Sequence, residues 1–204
     1  MKLAKESYPF LLPLLGFFLI SFVLKWTFLA GLFLVLLAFV AYFFRDPNRK
    51  TPDEPAVIFS PADGTVTKVQ TVEIDGVHHH HVVIFLSPLN VHINRIPFAG
   101  KVVSVQHTPG AFHAAYRDDI ANLNERTETR LETEKGPMRI IQIAGFVARR
   151  IVNYLQPDQV VKAGDKFGMI KFSSRTDLIF PIEARVLVHV GDKLEGGVTR
   201  LAAF

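Results

Sequence analysis

VVKAGDKFGMIKFSSRTDLIFP, residues 160–181, strings together three short runs of strand-forming residues, with Gly164-Asp165 breaking the first from the second and Ser173-Ser174-Arg175 the second from the third. A Gly beside an Asp between such runs marks a tight hairpin that needs positive φ. The same grammar extends in both directions. AVIFSPADGTVTKVQTVEI (56–74), HHVVIFLSPLNVHINRI (80–96), GKVVSVQHT (100–108), MRIIQIAGFVARRIVNYL (138–155) and ARVLVHV (184–190) are β-branched or aromatic runs punctuated by Gly, Pro, Asp and Asn. That spacing predicts a mainly β domain with compact turns. Only GAFHAAYRDDIANLNERT (110–127) and FVARRIVNYL (146–155) offer room for short helices.

PADGTVTKV (61–69) and VVKAGDKFGMIKF (160–172) resemble the hairpins of lipoyl-like barrel-sandwich folds, and VLVHVGDKLEGGVTRL (186–201) repeats the Gly-Asp turn. A lipoyl or biotin carrier needs a lysine at the tip of its hairpin in a short characteristic setting. None of these turns supplies that setting, so each is structural by default.

The 204 residues suit one globular domain plus a modest extra element. The hydrophobic fraction of 49% is high, and the first 44 residues carry the excess. YPFLLPLLGFFLISFVLKWTFLAGLFLVLLAFVAYFF (8–44) is broken only by Lys25, into Phe10–Leu24 and Trp26–Phe44. The second half is long enough to span a bilayer and the first is marginal, since a spanning helix takes roughly 17–25 apolar residues. Lys2 and Lys5 precede the pair, while Arg45, Arg49 and Lys50 follow it. Basic flanks at both ends predict a helical hairpin whose two ends face the cytoplasm. A single span with an interfacial helix, or a cleaved signal, are the other readings; no small-residue cleavage pattern precedes FFRDPNRKTPDEP. Residues 45–55 read as a linker and 56–204 as the catalytic part. The net charge of +4 calls for an anionic partner, and this N-terminus selects a phospholipid surface over nucleic acid. With no cysteine, disulfides, Cys-type zinc sites and thiol nucleophiles are excluded.

Four consecutive histidines, His78–His81, suggest a metal site at first sight. On a strand, alternate side chains point to opposite faces, so at most two would converge, and no metal is expected. His92 lies in FLSPLNVHINRIP among alternating apolar residues, which predicts a strand position; a lone strand histidine is more often structural than catalytic. Asp63 in SPADG reads first as a turn initiator. An Asp, a His and a Ser174 in separate segments form the set of an orienter, a base and a nucleophile, a set that most chains of this length contain.

The order SPADG, FLSPLNVH, NER and then Ser-x-Arg-x-Asp near the C-terminus resembles the phosphatidylserine decarboxylases of the short bacterial and archaeal branch, over essentially all of the chain after residue 45. The resemblance implies a proenzyme that cuts its own backbone at Ser173–Ser174 into a β chain, 1–173, and an α chain, 174–204. It implies a covalent pyruvoyl group derived from Ser174, which condenses with the amine of the substrate serine headgroup and draws off electrons as CO2 leaves. It assigns His92 as base for self-cleavage, with Asp63 as its orienter; His92 is also the candidate acid that reprotonates the product, since imidazole titrates near neutral pH. Arg95 and Arg175 are candidate contacts for the substrate phosphate. Arg95 occupies the position of a second family histidine. Ser173 stands where the family has glycine, which predicts slow or blocked processing. The expected partners are the membrane, phosphatidylserine and further copies of the chain. A membrane-anchored adaptor or carrier, and a membrane serine hydrolase that stays whole, are the alternatives.

Overall fold

The computed structural model describes residues 2–111, 123–145, 150–171 and 174–204. The chain divides into two compact units, Met1–Asn48 and Arg49–Phe204.

In the first unit a single 3-10 turn, Lys5–Ser7, leads into α1 (Tyr8–Val23), and α2 (Thr27–Phe43) returns. Lys25 makes the reversal with φ of +59°. Phe17 and Phe33 stack across the pair at 5.4 Å. Phe22 and Phe28 are 68% and 82% exposed, as suits helices surrounded by hydrocarbon rather than water. Lys5–Val23, 19 residues, is long and apolar enough to cross a membrane, whereas α2 has 17. Counted with its 3-10 turn, the first helix is therefore the longer of the two, rather than the marginal one that the sequence suggested. The 3-10 turn extends it before the apolar run begins, and the reversal takes residues from the start of the second run. Two-residue strands β1 (Lys2–Leu3) and β2 (Arg45–Asp46) pair antiparallel and bring the basic flanks of the hairpin to one end.

The second unit is built on a curled eight-stranded antiparallel sheet, a half barrel. Its order is β11 (Val160–Val161), β7 (Gly100–Thr108), β8 (Arg126–Thr133), β9 (Gly136–Ala144), β13 (Ser174–Pro181), β5 (Val77–Leu86), β4 (Gly64–Ile74) and β15 (Lys193–Leu194). Two three-stranded sheets complete it: β10 (Ile151–Asn153), β12 (Lys166–Ile170) and β6 (Ile93–Arg95), and β14 (Arg185–Val186), β16 (Arg200–Ala203) and β3 (Val57–Phe59). This is the expected mainly β, barrel-sandwich architecture behind an N-terminal helix pair. The concave face carries the core, with Val82, Ile84, Ile140, Leu178 and Phe180 all fully buried.

The Gly-Asp turns behave alike. Gly164 and Gly191 have φ of +86° and +100°, and Asp165 and Asp192 each accept from the backbone N–H three residues earlier, at 2.8 Å. Gly64 has a different reason to be glycine. A Cβ there would lie 2.3 Å from the carbonyl oxygen of Phe85 on the neighbouring strand. Gly64→Ala is expected to destabilise the second unit by about 1–3 kcal/mol, read as a lowered thermal midpoint; an unchanged midpoint would contradict the close β4–β5 approach.

β8 escaped the sequence reading, which left ERTETRLET without a strand. Its period-2 pattern is present, but the buried members are Thr127, Thr129, Leu131 and Thr133, so hydrophobicity hardly registers it. The expected helix at 146–155 is corrected in its second half, where Ile151–Asn153 is strand β10. Val152 and Ile151 are β-branched and pair with Met169 and Ile170. The other candidate helix lies mostly outside the described residues.

Residues 49–55 are tied to this unit. Glu54 accepts from Arg200 Nε and Nη2, both at 2.7 Å, and this hydrogen-bonded pairing holds its carboxyl below the ordinary carboxylate value.

Candidate active site

β13 lies between β9 and β5, so both its edges are paired and every residue from Ser174 to Pro181 is buried. Its alternation sends Ser174, Thr176, Leu178 and Phe180 to the concave face and Arg175, Asp177 and Ile179 to the convex one. Ser174 opens the strand opposite Leu86 and Ala144. Its Oγ is buried and has no hydrogen-bond partner among the described residues.

His92 reaches the same end of the sheet by another route. Ser87 N and Oγ both donate to Asn90 Oδ1, at 2.9 and 2.8 Å, closing the SPLN turn that follows β5. The turn delivers His92 one residue ahead of β6, rather than on a strand as its sequence suggested. The backbone N–H of Ile170, at the end of β12 and four residues before Ser174, donates to the His92 carbonyl at 3.4 Å. The imidazole is fully buried, and Nδ1 lies 2.9 Å from the Asn90 carbonyl. A carbonyl only accepts, so Nδ1 carries the proton and Nε2 is the basic atom of the neutral ring.

Asp63 is placed differently from the role the resemblance gave it. Its two oxygens accept from Arg49 Nη1 and Nη2, and Oδ1 also accepts from Gly196 N at 2.8 Å. His92 takes a main-chain acceptor instead. Asp63 still reaches the site through its loop, because Pro61 O accepts from Arg95 N at 2.9 Å and from Asn94 Nδ2 at 3.4 Å.

The two candidate phosphate ligands are buried. Arg95 donates to Gly164 O at 3.0 Å. Arg175 chelates Asp177, Nε to Oδ1 at 2.6 Å and Nη2 to Oδ2 at 2.8 Å. These two residues share a strand face, the one opposite Ser174. Asp177 Oδ2 also accepts from His81 Nε2 at 2.8 Å, while Gln70 Nε2 donates to His81 Nδ1 at 3.0 Å. One of the four consecutive histidines is thereby engaged in a structural network; among the described residues no cluster of three or more metal-ligating side chains occurs. Ser173 lies outside the described residues. In the NER segment, Asn124 is buried and donates to Ala144 O at 2.8 Å, bracing the residue paired with Ser174.

A row of buried and half-buried polar side chains was not anticipated. Asn94 Nδ2 donates to Thr176 Oγ1 at 3.2 Å, Gln142 Nε2 to Asn94 Oδ1 at 2.9 Å, and Asn153 Nδ2 to Gln142 Oε1 and Thr129 Oγ1, each at 3.0 Å. The available signal on β13 was spacing: Thr176 stands two residues after Ser174, where strand geometry returns a side chain to the same face.

Residues 36–202 match the phosphatidylserine decarboxylase family. The chain is similar to the phosphatidylserine decarboxylase proenzyme of Chlorobium chlorochromatii, 46% identical over 178 residues that cover 86% of this chain and 84% of that one. It is 39% identical to the proenzyme of Syntrophus aciditrophicus over 99% of this chain and 97% of that one, and 38% identical to that of Desulfotalea psychrophila over 97% and 94%.

Proposed function

The chain belongs to the phosphatidylserine decarboxylase family, and from that premise we propose how it becomes active. It is a carboxy-lyase that acts on phosphatidylserine. In our reading Ser174 cuts its own chain. Its Oγ attacks the carbonyl carbon of Ser173, the peptide C–N bond breaks, and the hydroxyl proton passes to the freed nitrogen, turning amide into ester. Loss of the Ser174 Cα proton expels the ester oxygen, leaving a carboxylate on Ser173 and dehydroalanine at 174. Addition of water and release of ammonia leave a pyruvoyl group at the new N-terminus. When formed, that group supplies a ketone to take up the electrons released with CO2. His92 is the base for the first proton, through Nε2, and holds the proton returned to the product. Asp63 positions the 61–64 loop behind it.

The observation that carries this reading is the Ser174 hydroxyl. A buried hydroxyl with no partner among the described residues costs stability, which a purely structural strand would avoid with alanine. The setting also suits a pyruvoyl group: Leu86 and Ala144 on either side are fully buried and apolar, and a ketone has no hydrogen to donate. Substrate contact by Arg95 or Arg175 requires either guanidinium to leave its present acceptor.

We place residues 1–44 in the cell membrane as a hairpin, 45–55 as the connecting segment and 56–204 on the cytoplasmic side, since the paired ends of the hairpin bear Lys2, Lys5 and Arg45. The processed α chain, 174–204, keeps its place because its first strand is bonded to β5 and β9 of the β chain.

Intact mass spectrometry of the solubilised chain beside its Ser173→Gly variant tests the reading. A fragment 174–204 bearing an N-terminal pyruvoyl group is expected, co-eluting with 1–173 until denaturation. Cleavage should be roughly tenfold faster in the glycine variant, because strained backbone conformations are easier for glycine. Two chains that stay whole, with no CO2 released from phosphatidylserine vesicles, would refute it.

A further inference from the structure

The hydrogen bond between Asn94 and Thr176 joins the two segments that carry His92 and Ser174. On each segment it lies two residues beyond the reactive side chain; on β13 this puts Thr176 on the same face as Ser174, and on the other segment Asn94 lies within β6, just after His92. Both side chains are fully buried. The direction of the bond is determined: Asn94 Oδ1 accepts from Gln142 Nε2, so Nδ2 faces Thr176 and donates. Gln142 is held in turn by Asn153, and Asn153 by Thr129. The row therefore runs from β8 through β9 and β10 to β6 and β13, and ends at the site. Its members lie on the face that carries Leu178 and Phe180 two and four residues along β13.

An aliphatic pair of the same shape would fill this space at little cost to stability, whereas a polar row must satisfy every member to be tolerated. What the polar row adds is register. The bond between Ile170 N and His92 O, at 3.4 Å, is long, so it alone holds the register of this segment only loosely. The geometry points to Asn94 and Thr176 as positioning residues that fix the segment of His92 relative to the strand of Ser174, with Gln142 orienting Asn94. This rests on the reading of Ser174 as nucleophile and His92 as base. A base displaced by about 1 Å loses on the order of a hundredfold in rate.

Thr176→Val removes the acceptor and keeps the shape; Thr176→Ser keeps the acceptor. The full-length chain carrying Ser173→Gly is synthesised in a cell-free system, and the appearance of fragment 174–204 is timed by intact mass. Thr176→Val should slow cleavage roughly 10–100-fold, more than the modest fall in thermal midpoint from the orphaned Asn94 Nδ2 explains, while Thr176→Ser stays within about threefold of the parent. In a His92→Ala chain, Thr176→Val should add less than about twofold, because no base remains to be positioned. Where the valine chain does not fold, Thr176→Ala, which loses the same hydroxyl without branched bulk, takes its place in the comparison. A valine chain that cleaves at the parent rate, or one slowed equally with and without His92, overturns the inference and leaves the self-cleavage reading intact. A parent that never cleaves overturns both.

Discussion

Ser174→Ala leaves the chain whole and abolishes decarboxylation while making the second unit slightly more stable. The first two effects follow from chemistry. Alanine has no nucleophile for the peptide bond at 173–174 and no oxygen from which a ketone can be built. Removing the nucleophile from a serine hydrolase costs on the order of 10⁶-fold; here the reactive group itself is never made, so no fragment and no CO2 are expected at any time of incubation. The stability effect follows from the structure. The Ser174 Oγ is a buried hydroxyl with no partner among the described residues. Deleting it removes a desolvation penalty of about 1–3 kcal/mol and opens little space. Intact mass, a CO2 assay on phosphatidylserine vesicles and a thermal melt of the same preparation read all three. A fragment 174–204 from the alanine chain would move the nucleophile elsewhere, with Ser173 the first candidate. A lowered midpoint would mean that the hydroxyl is hydrogen-bonded after all.

Asp177→Ala is expected to cost the second unit about 3–5 kcal/mol, a large share of the 5–15 kcal/mol by which a domain is usually stable. Asp177 is 3% exposed, and its two oxygens serve Arg175 Nε, Arg175 Nη2 and His81 Nε2. Removing the carboxylate strips the counter-ion from a guanidinium that is itself 5% exposed and takes the acceptor from the imidazole. Asp177→Asn should cost less, since one carbonyl oxygen remains as acceptor for one of the donors. Because Arg175 follows Ser174 directly, the alanine chain should also process slowly. Unfolding followed by circular dichroism in detergent gives the comparison. A loss below about 1 kcal/mol would show that the convex-face pair is screened by water and works like an ordinary surface ion pair.

Much of the architecture was legible in the primary structure because it is recorded locally. The Gly-Asp turns at 164–165 and 191–192, the β-branched runs between them and the apolar stretch 8–44 are short-range features, and each produced the expected element class. Where local signals were mixed, tertiary pairing decided. Arg126–Thr133 became a strand because β7 and β9 flank it, although its buried residues are mainly threonines. Ile151–Asn153 became a strand because β12 offered its edge.

The candidate site divides along the same line. Ser174, His92 and Asp63 could be picked out from motif order and residue type, since nucleophile, base and carboxylate chemistry belongs to the side chains themselves. Their relations belong to the sheet. Only the pairing of β13 between β5 and β9 buries Ser174 and sends Arg175 to the opposite face. Only the SPLN turn gives His92 a main-chain carbonyl as its Nδ1 acceptor, and only the packing of the 61–64 loop directs Asp63 to Arg49 and Gly196. The bond from Asn94 to Thr176 joins residues 82 positions apart. A hydrogen bond is a property of two positions in space, and a sequence lists its residues one after another; which distant donor meets which acceptor is set by strand order, and that order is fixed when the sheet closes over its core.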